Sequence, residues 1–248
     1  MILVVDVGNS RMKWALYDPR GWLANGVLPN AEIGTLALRD WQNLPRPVRA
    51  VGVNVAGEAA RVRVEGQLTR WRLPMEWMHA SASAAGVTNG YSRPDQLGAD
   101  RWASLAASRR RALMVEGPPP ACIVVNAGTA VTIDALDADG VFQGGLILPG
   151  IRLMLAALAD NTSALKVPAG TFAHFPSNTG DAIYSGAIQA ICGAIELMRL
   201  KVGHDGRPVH CFLSGGTAPQ VAPYLSQPVE VVDNLVLEGV LLLASETP

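Results

Sequence analysis

The chain contains the same strand–turn–strand pattern twice, about half a chain apart. The stretch VVDVGNSRMKWALYDPRGWLANGVL begins at residue 4, and VVNAGTAVTIDALDADGVFQGGLIL begins at residue 124. An offset of 120 aligns Asp6 with Asn126. One deletion in the second turn then aligns Gly21 with Gly140. Repetition of one supersecondary unit indicates a duplicated domain, although two β-meanders can also resemble each other by chance.

Apolar runs, alternation and turn residues predict three antiparallel strands in each copy. The predicted strands are Ile2–Val7, Met12–Tyr17 and Trp22–Leu28 in the first copy, and Cys122–Val125, Val131–Leu136 and Val141–Leu148 in the second. Strand and helix patterns then alternate. They comprise helix Ala31–Trp41, strand Arg49–Val53, helix Glu58–Arg70, strand Met75–Met78, a helix opening at Gly98 and a helix over Asp181–Leu200. This alternation is typical of the α/β class.

A run of prolines at residues 116–120 (Glu-Gly-Pro-Pro-Pro) marks the expected domain boundary. Consecutive prolines cannot continue a helix, and they suit a crossing between domains. We therefore expect an N-terminal domain over residues 1–117 and a C-terminal domain over residues 118–248.

Composition excludes several classes of protein. The 248 residues are 49% hydrophobic with a net charge of −1, which argues against disorder. The basic cluster Arg109–Arg111 is too short to predict nucleic-acid binding. The N-terminal residues lack the basic and apolar regions of a signal peptide, so none is expected, and no run reaches the about 18 apolar residues of a membrane span, so no membrane partner is expected. Three cysteines without C-x-x-C spacing indicate a reducing compartment, and we expect a cytoplasmic protein.

The first strand ends in a turn suited to phosphate binding, Asp6-x-Gly8-Asn9-Ser10-x-x-Lys13. Backbone N–H groups exposed in such a turn cradle phosphate oxygens. Lys13 adds a cation, and Asp6 adds a carboxylate that suits hydrated Mg²⁺. Gly8 is expected to adopt a positive φ that a β-branched residue would forbid. The alternative is an ordinary hairpin with an Asx turn.

Two further Gly-containing turns follow strands in the second half. The first is Asn126-x-Gly128-Thr129-Ala130-x-Thr132-x-Asp134, and the other is 213–217, Leu-Ser-Gly-Gly-Thr, leading into a helix. Glycine lets backbone approach a ligand closely. Neither turn is a P-loop or a G-x-G-x-x-G fingerprint, but three candidate turns together are more specific than one.

Gly98-Ala99-Asp100-Arg101 opens a predicted helix and places an acid beside a base. A carboxylate can accept a hydroxyl proton, while arginine binds a carboxylate substrate through its planar fork. Asp100 can equally be a helix N-cap or a partner of the helix dipole.

Taken together, these motifs resemble the type III pantothenate kinase family. The resemblance rests on Asp6–Lys13, Gly98–Arg101, Asn126–Asp134, 178–181 (Asn-Thr-Gly-Asp) and Leu213–Thr217, in order over essentially the whole chain. It implies an α/β fold of two duplicated actin-like (ribonuclease H-like) domains, each with a mixed sheet flanked by helices. The implied reaction is ATP-dependent phosphorylation of pantothenate to 4′-phosphopantothenate, the first step of coenzyme A biosynthesis.

The resemblance also implies roles for individual residues. ATP contacts would be Asp6, Val7, Gly8, Asn9, Ser10, Arg11, Met12, Lys13 and Thr129. Pantothenate contacts would be Tyr91, Gly98, Ala99, Asp100, Arg101 and Thr179, with Asp100 as the catalytic base. The turn at 213–217 would lie on the adenosine side. Alternatives stay open at two positions: Tyr91 can pack over Pro94, and Thr179 can be the N-cap of the following helix.

Cofactors and partners follow from the same resemblance. Mg²⁺ would accompany ATP near Asp6, and K⁺ or NH₄⁺ would bind near position 126. Many family members carry Asp there, so Asn126 puts the monovalent-cation site in doubt. A homodimer is expected, with the helix at Ile183–Met198 as its interface, although core burial explains that apolar pattern equally well. The alternative function is a nucleotide-binding accessory or regulatory protein without kinase activity.

Overall fold

A computed structural model describes residues 1–161, 169–203 and 206–246. The strands are β1 Ile2–Val7, β2 Arg11–Asp18, β3 Gly21–Pro29, β4 Arg49–Asn54, β5 Met75–Trp77, β6 Ser83–Ala84, β7 Val87–Asn89, β8 Cys122–Ala127, β9 Ala130–Leu136, β10 Val141–Pro149, β11 His210–Ser214 and β12 Val229–Val231. The α-helices are α1 Glu58–Leu68, α2 Ala99–Ala112, α3 Ile151–Asn161, α4 Thr179–Val202, α5 Ala218–Val221 and α6 Leu235–Glu246. Short 3-10 segments cover Asn30–Leu38, Thr69–Trp71, Pro94–Gln96 and Ala222–Tyr224.

The chain forms two compact units. Unit 1 comprises Met1–Arg110 with Asn234–Pro248, and unit 2 comprises Arg111–Asp233. The change of unit at residue 111 lies seven residues before the start of the predicted second domain at 118. Helix α6 lies with unit 1, because it contacts β1 and β4. Gly239 permits close packing of α6 on α2, since a Cβ at that position would lie 1.8 Å from the carbonyl oxygen of Ala103.

Unit 1 is built on a mixed sheet with the order β3-β2-β1-β4-β5. Strands β1, β2 and β3 pair antiparallel, while β4 and β5 continue the sheet in parallel from β1. Its core includes three tryptophans: Trp41 meets Trp14 edge-on at 6.0 Å and stacks on Trp71 at 5.5 Å between ring centroids. The short hairpin β6–β7 also belongs to this unit.

Unit 2 repeats this design. Its strands run in the order β10-β9-β8-β11-β12. Strands β8, β9 and β10 pair antiparallel, and β11 and β12 continue in parallel from β8. Helix α4 packs on the sheet through one buried face that includes Ile188, Ile191 and Ile195.

The matching strand orders support duplication of one α/β unit. The aligned turn glycines agree, because Gly21 between β2 and β3 has φ 129° and Gly140 between β9 and β10 has φ 87°. Glycine tolerates such angles without steric cost. The two mixed sheets therefore agree with the fold class predicted from the repeated pattern.

The predicted helix at Ala31–Trp41 is the main local difference. The structure has a 3-10 helix over Asn30–Leu38 instead. Ile33 and Leu36, three residues apart, are its buried positions, which suits the three residues per turn of a 3-10 helix. Gly34 also lowers the preference for a regular α-helix.

None of the helices in the described parts of the chain is long and apolar enough to span a membrane.

Candidate functional site

The first candidate loop is the tight turn from Gly8 to Ser10, between β1 and β2 of unit 1. The Gly8 N–H donates to the carbonyl oxygen of Arg11 at 3.0 Å. Asn9, Ser10 and Arg11 are exposed, so this turn presents backbone and polar side chains to solvent. Gly8 does not have the positive φ that we expected from the sequence. A Cβ there would lie 3.3 Å from the Arg11 oxygen, so close approach is what favours glycine.

Two predicted ATP contacts in this loop have buried side chains. Val7 and Met12 are fully buried and belong to the core of unit 1. The alternation of a strand explains this, because neighbouring residues point to opposite faces. Only the backbone of Val7 and Met12 is therefore available to a ligand.

The carboxylate of Asp100 acts on that of Asp6, the next-to-last residue of β1. The pKa of Asp6 is raised to about 7, first by burial and then by repulsion from Asp100, while Lys13 acts in the opposite direction. Lys13 lies opposite Asp6 in the β1–β2 register. A cation bound beside Asp6 would relieve the repulsion, and Mg²⁺ takes one or two carboxylates together with phosphate oxygens. The side chains present therefore fit the magnesium ion that the motif predicts.

Asp100 lies in the first turn of α2. Burial raises the pKa of its carboxyl, while the Arg101 N–H and the Arg101 charge lower it. The Arg101 N–H donates to Asp100 Oδ1 at 2.8 Å. A Cβ at Gly98 would lie only 2.7 Å from that same oxygen. Gly98 therefore makes room for the carboxylate, which explains why a glycine stands immediately before this helix.

Arg101 and Tyr91 form a second polar pair in unit 1. The Arg101 side chain, only 6% exposed, donates from Nη1 to the Tyr91 hydroxyl at 3.2 Å. Its guanidinium carbon also lies 5.8 Å from the centre of the Tyr91 ring. Asn89 holds this loop, because its Oδ1 accepts from the Tyr91 N–H at 3.1 Å and its Nδ2 donates to Ser81 and Pro94 carbonyls.

The second candidate loop connects β8 and β9 in unit 2. The Gly128 N–H donates to the carbonyl oxygen of Ala130, two residues on, at 3.0 Å, whereas in the first turn the acceptor lies three residues after the glycine. Thr129 is exposed at its tip. Gly150 packs tightly on the loop: its N–H donates to Thr129 O at 2.9 Å, and a Cβ would lie 2.3 Å from Gly128 O.

The turn at 213–217 also packs against this second loop. The Thr217 hydroxyl and N–H both donate to the Ala127 carbonyl oxygen, at 2.9 and 3.0 Å. Gly215 has φ 103°, and a Cβ there would lie 2.4 Å from the same oxygen. The predicted strand-to-helix turn is thus present, between β11 and α5.

Asn126 lies at the end of β8, half-buried, opposite Thr132 on β9 and Ser214 on β11. Its Oδ1 would lie 4.0 Å from a Cβ built on Gly128. The side chain therefore reaches the second loop and brings a neutral amide oxygen there. An oxygen ligand of this kind suits a hard cation, but it carries no full charge.

Thr179 is the first residue of α4 and is exposed. The alternative that Thr179 caps this helix is wrong, because Asn178 is the N-cap and accepts from the Asp181 N–H at 3.0 Å. Asp181 in turn accepts from the Thr171 N–H at 2.7 Å. Its pKa is lowered mainly by that bond. Asn178 and Asp181 thus have structural roles that leave Thr179 at the surface.

For three residues near the predicted site residues, no local sequence pattern indicates a functional role. Asn30 donates to two carbonyls of the first loop, Gly150 supports the second loop, and Asn89 holds Tyr91. A Pro-Asn pair and a Pro-Gly pair after strands mark Asn30 and Gly150 only as turn residues. Their partners lie about 20 residues away, beyond the range of local patterns.

A cavity of about 600 Å³ in unit 2 contains none of the predicted site residues. It lies among aromatic and polar side chains that include Phe172, His174, Cys192 and Tyr224. The pKa of the Cys192 thiol is raised to about 11, mainly by burial, so this cysteine is protonated at neutral pH.

Solved structures share the fold over nearly the whole chain. A Campylobacter jejuni protein described as a Baf family transcriptional activator has a TM-score of 0.64 at 19% identity, covering 99% of this chain and 98% of its own. A 2-dehydro-3-deoxygalactonokinase protein from Sinorhizobium meliloti has a TM-score of 0.60 at 15% identity, covering 100% of both chains. These likenesses confirm the expected fold of duplicated actin-like domains.

Sequence comparison is more specific. A family model described as type III pantothenate kinase matches residues 2–200. The type III pantothenate kinase of Acidovorax ebreus (strain TPSY) is 46% identical over 248 residues, covering 98% of this chain and 96% of the relative. That of Leptothrix cholodnii is 45% identical over 252 residues, covering 98% and 96%. This chain therefore belongs to the type III pantothenate kinase family.

Proposed function

We propose that this protein transfers the γ-phosphoryl group of ATP to the primary hydroxyl of pantothenate, the first step of coenzyme A biosynthesis. The hydroxyl oxygen bonds to the γ-phosphorus, the bond from that phosphorus to the bridging oxygen breaks, and ADP leaves with 4′-phosphopantothenate as the other product. Family membership supports this reaction. The structural observation that carries it is the Asp100–Arg101 pair at the start of α2.

Asp100 is the proposed acceptor of the hydroxyl proton. Burial raises its pKa, and a carboxylate with a raised pKa is a stronger base. Its Oδ1 is oriented by the Arg101 N–H. Gly98 and Ala99 complete the proposed pantothenate loop, and Gly98 leaves the space that the carboxylate occupies.

Arg101 is the proposed partner of the pantothenate carboxylate. A guanidinium binds a carboxylate through two parallel N–H···O bonds, and burial strengthens such a contact. The Tyr91 hydroxyl accepts one Arg101 N–H, which limits the orientations of the guanidinium. Tyr91 and Thr179 are the further proposed substrate contacts.

The loop from Asp6 to Lys13 is the proposed ATP phosphate site of unit 1. Its exposed turn presents the Asn9 and Ser10 N–H groups, and Lys13 supplies a positive charge. Asp6 would hold Mg²⁺, which when bound to ATP neutralises phosphate charge as the γ-phosphoryl group is transferred. The repulsion between Asp6 and Asp100 supports this role, because a bound divalent cation would offset it and favour the ionised carboxylate.

Thr129 is the proposed ATP contact of unit 2. The monovalent-cation position near Asn126 is proposed to be retained with lower affinity, because an amide oxygen attracts K⁺ as a dipole and not as a full charge. Main-chain carbonyl oxygens are a further type of ligand that suits such a hard cation.

A homodimer is the proposed assembly, and the cytoplasm the proposed location. An apolar groove of about 390 Å³ between α3 and α4 supports the dimer. Its lining includes Met154, Leu158 and Ile183, and Leu153 on α3 is also exposed. Other residues of α4, among them Ile188, Ile191 and Ile195, belong to the core of unit 2. Three buried free cysteines agree with a reducing compartment.

ADP release measured with pantothenate and a panel of other small hydroxylated acids tests the proposal. We expect pantothenate-dependent ADP release, with 4′-phosphopantothenate detected by mass spectrometry. ATP binding without ADP release for any acid would overturn the kinase proposal and favour the accessory-protein alternative. Faster turnover of a different hydroxy acid would instead overturn the choice of pantothenate.

A further inference from the structure

Asn30 makes an unusual set of contacts with the first phosphate loop. Its Nδ2 donates to the Gly8 carbonyl oxygen at 2.8 Å and to the Asn9 carbonyl oxygen at 3.1 Å. Its backbone N–H donates to the Ser10 carbonyl oxygen at 3.2 Å. One residue, 20 to 22 positions further along the chain, thus donates to the carbonyl oxygens of all three of these turn residues.

These hydrogen bonds set the direction of the loop's N–H groups. In a planar trans peptide the C=O and the N–H point in opposite directions. Fixing the Gly8 carbonyl towards Asn30 therefore directs the Asn9 N–H away from it. Fixing the Asn9 carbonyl towards Asn30 likewise directs the Ser10 N–H away from Asn30. Two successive N–H groups directed to one side form a concavity that binds phosphate oxygens.

The remaining polar atom of Asn30 argues against a role in stability alone. Its Oδ1 is buried and accepts no hydrogen bond among the described residues. A buried unsatisfied acceptor costs roughly 1–3 kcal/mol, which offsets much of what the two donated bonds contribute. The amide thus adds little net stability, while its donors control the loop geometry.

From this geometry we infer that Asn30 is a positioning residue that pre-orients the first phosphate loop for ATP. This inference rests on the proposal that the loop binds ATP phosphates. Without the amide, the Gly8–Asn9 and Asn9–Ser10 peptides lose these restraints. Ordering them when ATP binds then costs free energy. Misplacement of binding groups by about 1 Å can cost up to about 100-fold.

Asn30→Ala in the full chain tests this inference. We expect the Kd for Mg-ATP, measured by calorimetry, to rise about 10- to 100-fold, while the KM for pantothenate changes less than about twofold. Asn30→Asp keeps the size but replaces the donors with an acceptor facing two carbonyls, so its Kd should rise at least as much. Asn30→Gln retains the NH₂ group and should recover part of the affinity.

Gln67→Ala is the matched control. Gln67 Oε1 accepts from the Ala37 N–H at 3.0 Å, so it anchors the other end of the same 3-10 segment without touching the loop. We expect Gln67→Ala to lower the melting temperature as much as Asn30→Ala or more, with unchanged ATP affinity.

Several outcomes would overturn the inference. An ATP affinity of Asn30→Ala equal to that of the wild type would do so, as would equal losses of ATP affinity in Asn30→Ala and Gln67→Ala. Wild-type protein that fails to bind Mg-ATP would remove both the inference and the proposed function. Wild-type protein that binds Mg-ATP but never phosphorylates pantothenate would remove only the proposed function, because the ATP affinities of the variants still decide the inference.

Discussion

The two candidate phosphate loops each join two antiparallel strands, but they differ in length by one residue and are supported differently. In unit 1 the loop is held by the amide side chain of Asn30. In unit 2 the loop is held by the close backbone approach of Gly150 and Gly215, together with the Thr217 hydroxyl. The two units share one strand order, but the loop of unit 1 is held by side-chain hydrogen bonds and that of unit 2 by tight glycine packing.

The loops differ in charge as well. Asp6 ends β1, and Asp100 lies close enough to raise its pKa. The corresponding residue of unit 2 is the neutral Asn126. Unit 1 therefore carries the two carboxylates proposed for the metal ion and the base, whereas the corresponding turn of unit 2 begins with a neutral amide. We expect chemistry to depend on unit 1, and ligand positioning on both loops.

The largest expected effect is on turnover, from Asp100→Asn. The amide keeps the size of the carboxylate but cannot take the hydroxyl proton, so kcat should fall about 10²- to 10⁴-fold. The Kd for Mg-ATP should stay within a few-fold, because Asp100 is proposed to act on the acceptor. Rapid-quench kinetics with pantothenate measures the loss. Turnover close to wild type would contradict the assignment of the base to unit 1.

The next largest expected effect is on stability, and it differs between glycine substitutions at the two loops. Gly150→Ala would place a Cβ 2.3 Å from Gly128 O and 2.6 Å from Thr129 O, so the backbone must move. Overpacking of this kind typically costs about 1–3 kcal/mol. Gly8→Ala meets only the Arg11 oxygen at 3.3 Å and should cost less than about 1 kcal/mol. Urea unfolding of both variants measures the difference, and equal costs would contradict the contrast in loop support.

Asp6→Asn makes the first loop electrically similar to the second. The folded-state pKa of Asp6 is about 7, well above the value of about 3.9 in an unfolded chain. The folded state therefore holds the extra proton between about pH 4 and pH 7, and the stability of the wild type falls as pH rises through that window. The amide removes this loss, so Asp6→Asn should be more stable at pH 8 by about 1–4 kcal/mol.

Unfolding free energies at pH 5 and pH 8 measure this effect. The gain of Asp6→Asn over wild type should be small at pH 5 and larger at pH 8. At the same time Mg-ATP binding should weaken, since the amide no longer offers a charged ligand. A gain that is equal at both pH values would mean that Asp6 titrates normally.

Local patterns predicted the strands and the turn glycines because each depends on neighbouring residues. A short β-branched run predicted β1 and alternation predicted β2, and Gly21 and Gly140 adopt the positive φ angles typical of turns. The same local rules predicted that Gly8 has a positive φ, which is wrong. That position is constrained by close approach to Arg11 O, which a pattern does not reveal.

Long-range contacts account for what the sequence did not predict. The hydrogen bonds of Asn30 and the packing of Gly150 join segments about 20 residues apart. Helix α6 packs on β1 and β4 from the other end of the chain. Such pairs depend on tertiary structure, whereas the Asp100–Arg101 motif was found because its two residues are adjacent.

The smallest expected effect comes from Asn126→Asp, which gives the second loop the carboxylate that the first loop has. A full charge attracts K⁺ more strongly than an amide dipole does. The K⁺ concentration for half-maximal activity should therefore fall about two- to tenfold, corresponding to about 0.4–1.4 kcal/mol. Lys13 opposes the rise in the pKa of Asp6, whereas Thr132 stands opposite residue 126. The carboxylate introduced at position 126 thus lacks a matching cation on the paired strand, and K⁺ is the ion expected to bind it.

Titration of both proteins with K⁺ at constant ionic strength measures the shift, with Asn25→Asp on the exposed part of β3 as a control for added charge. Superimposable curves would place Asn126 away from the cation, and a flat wild-type curve at full activity would mean that this chain works without one.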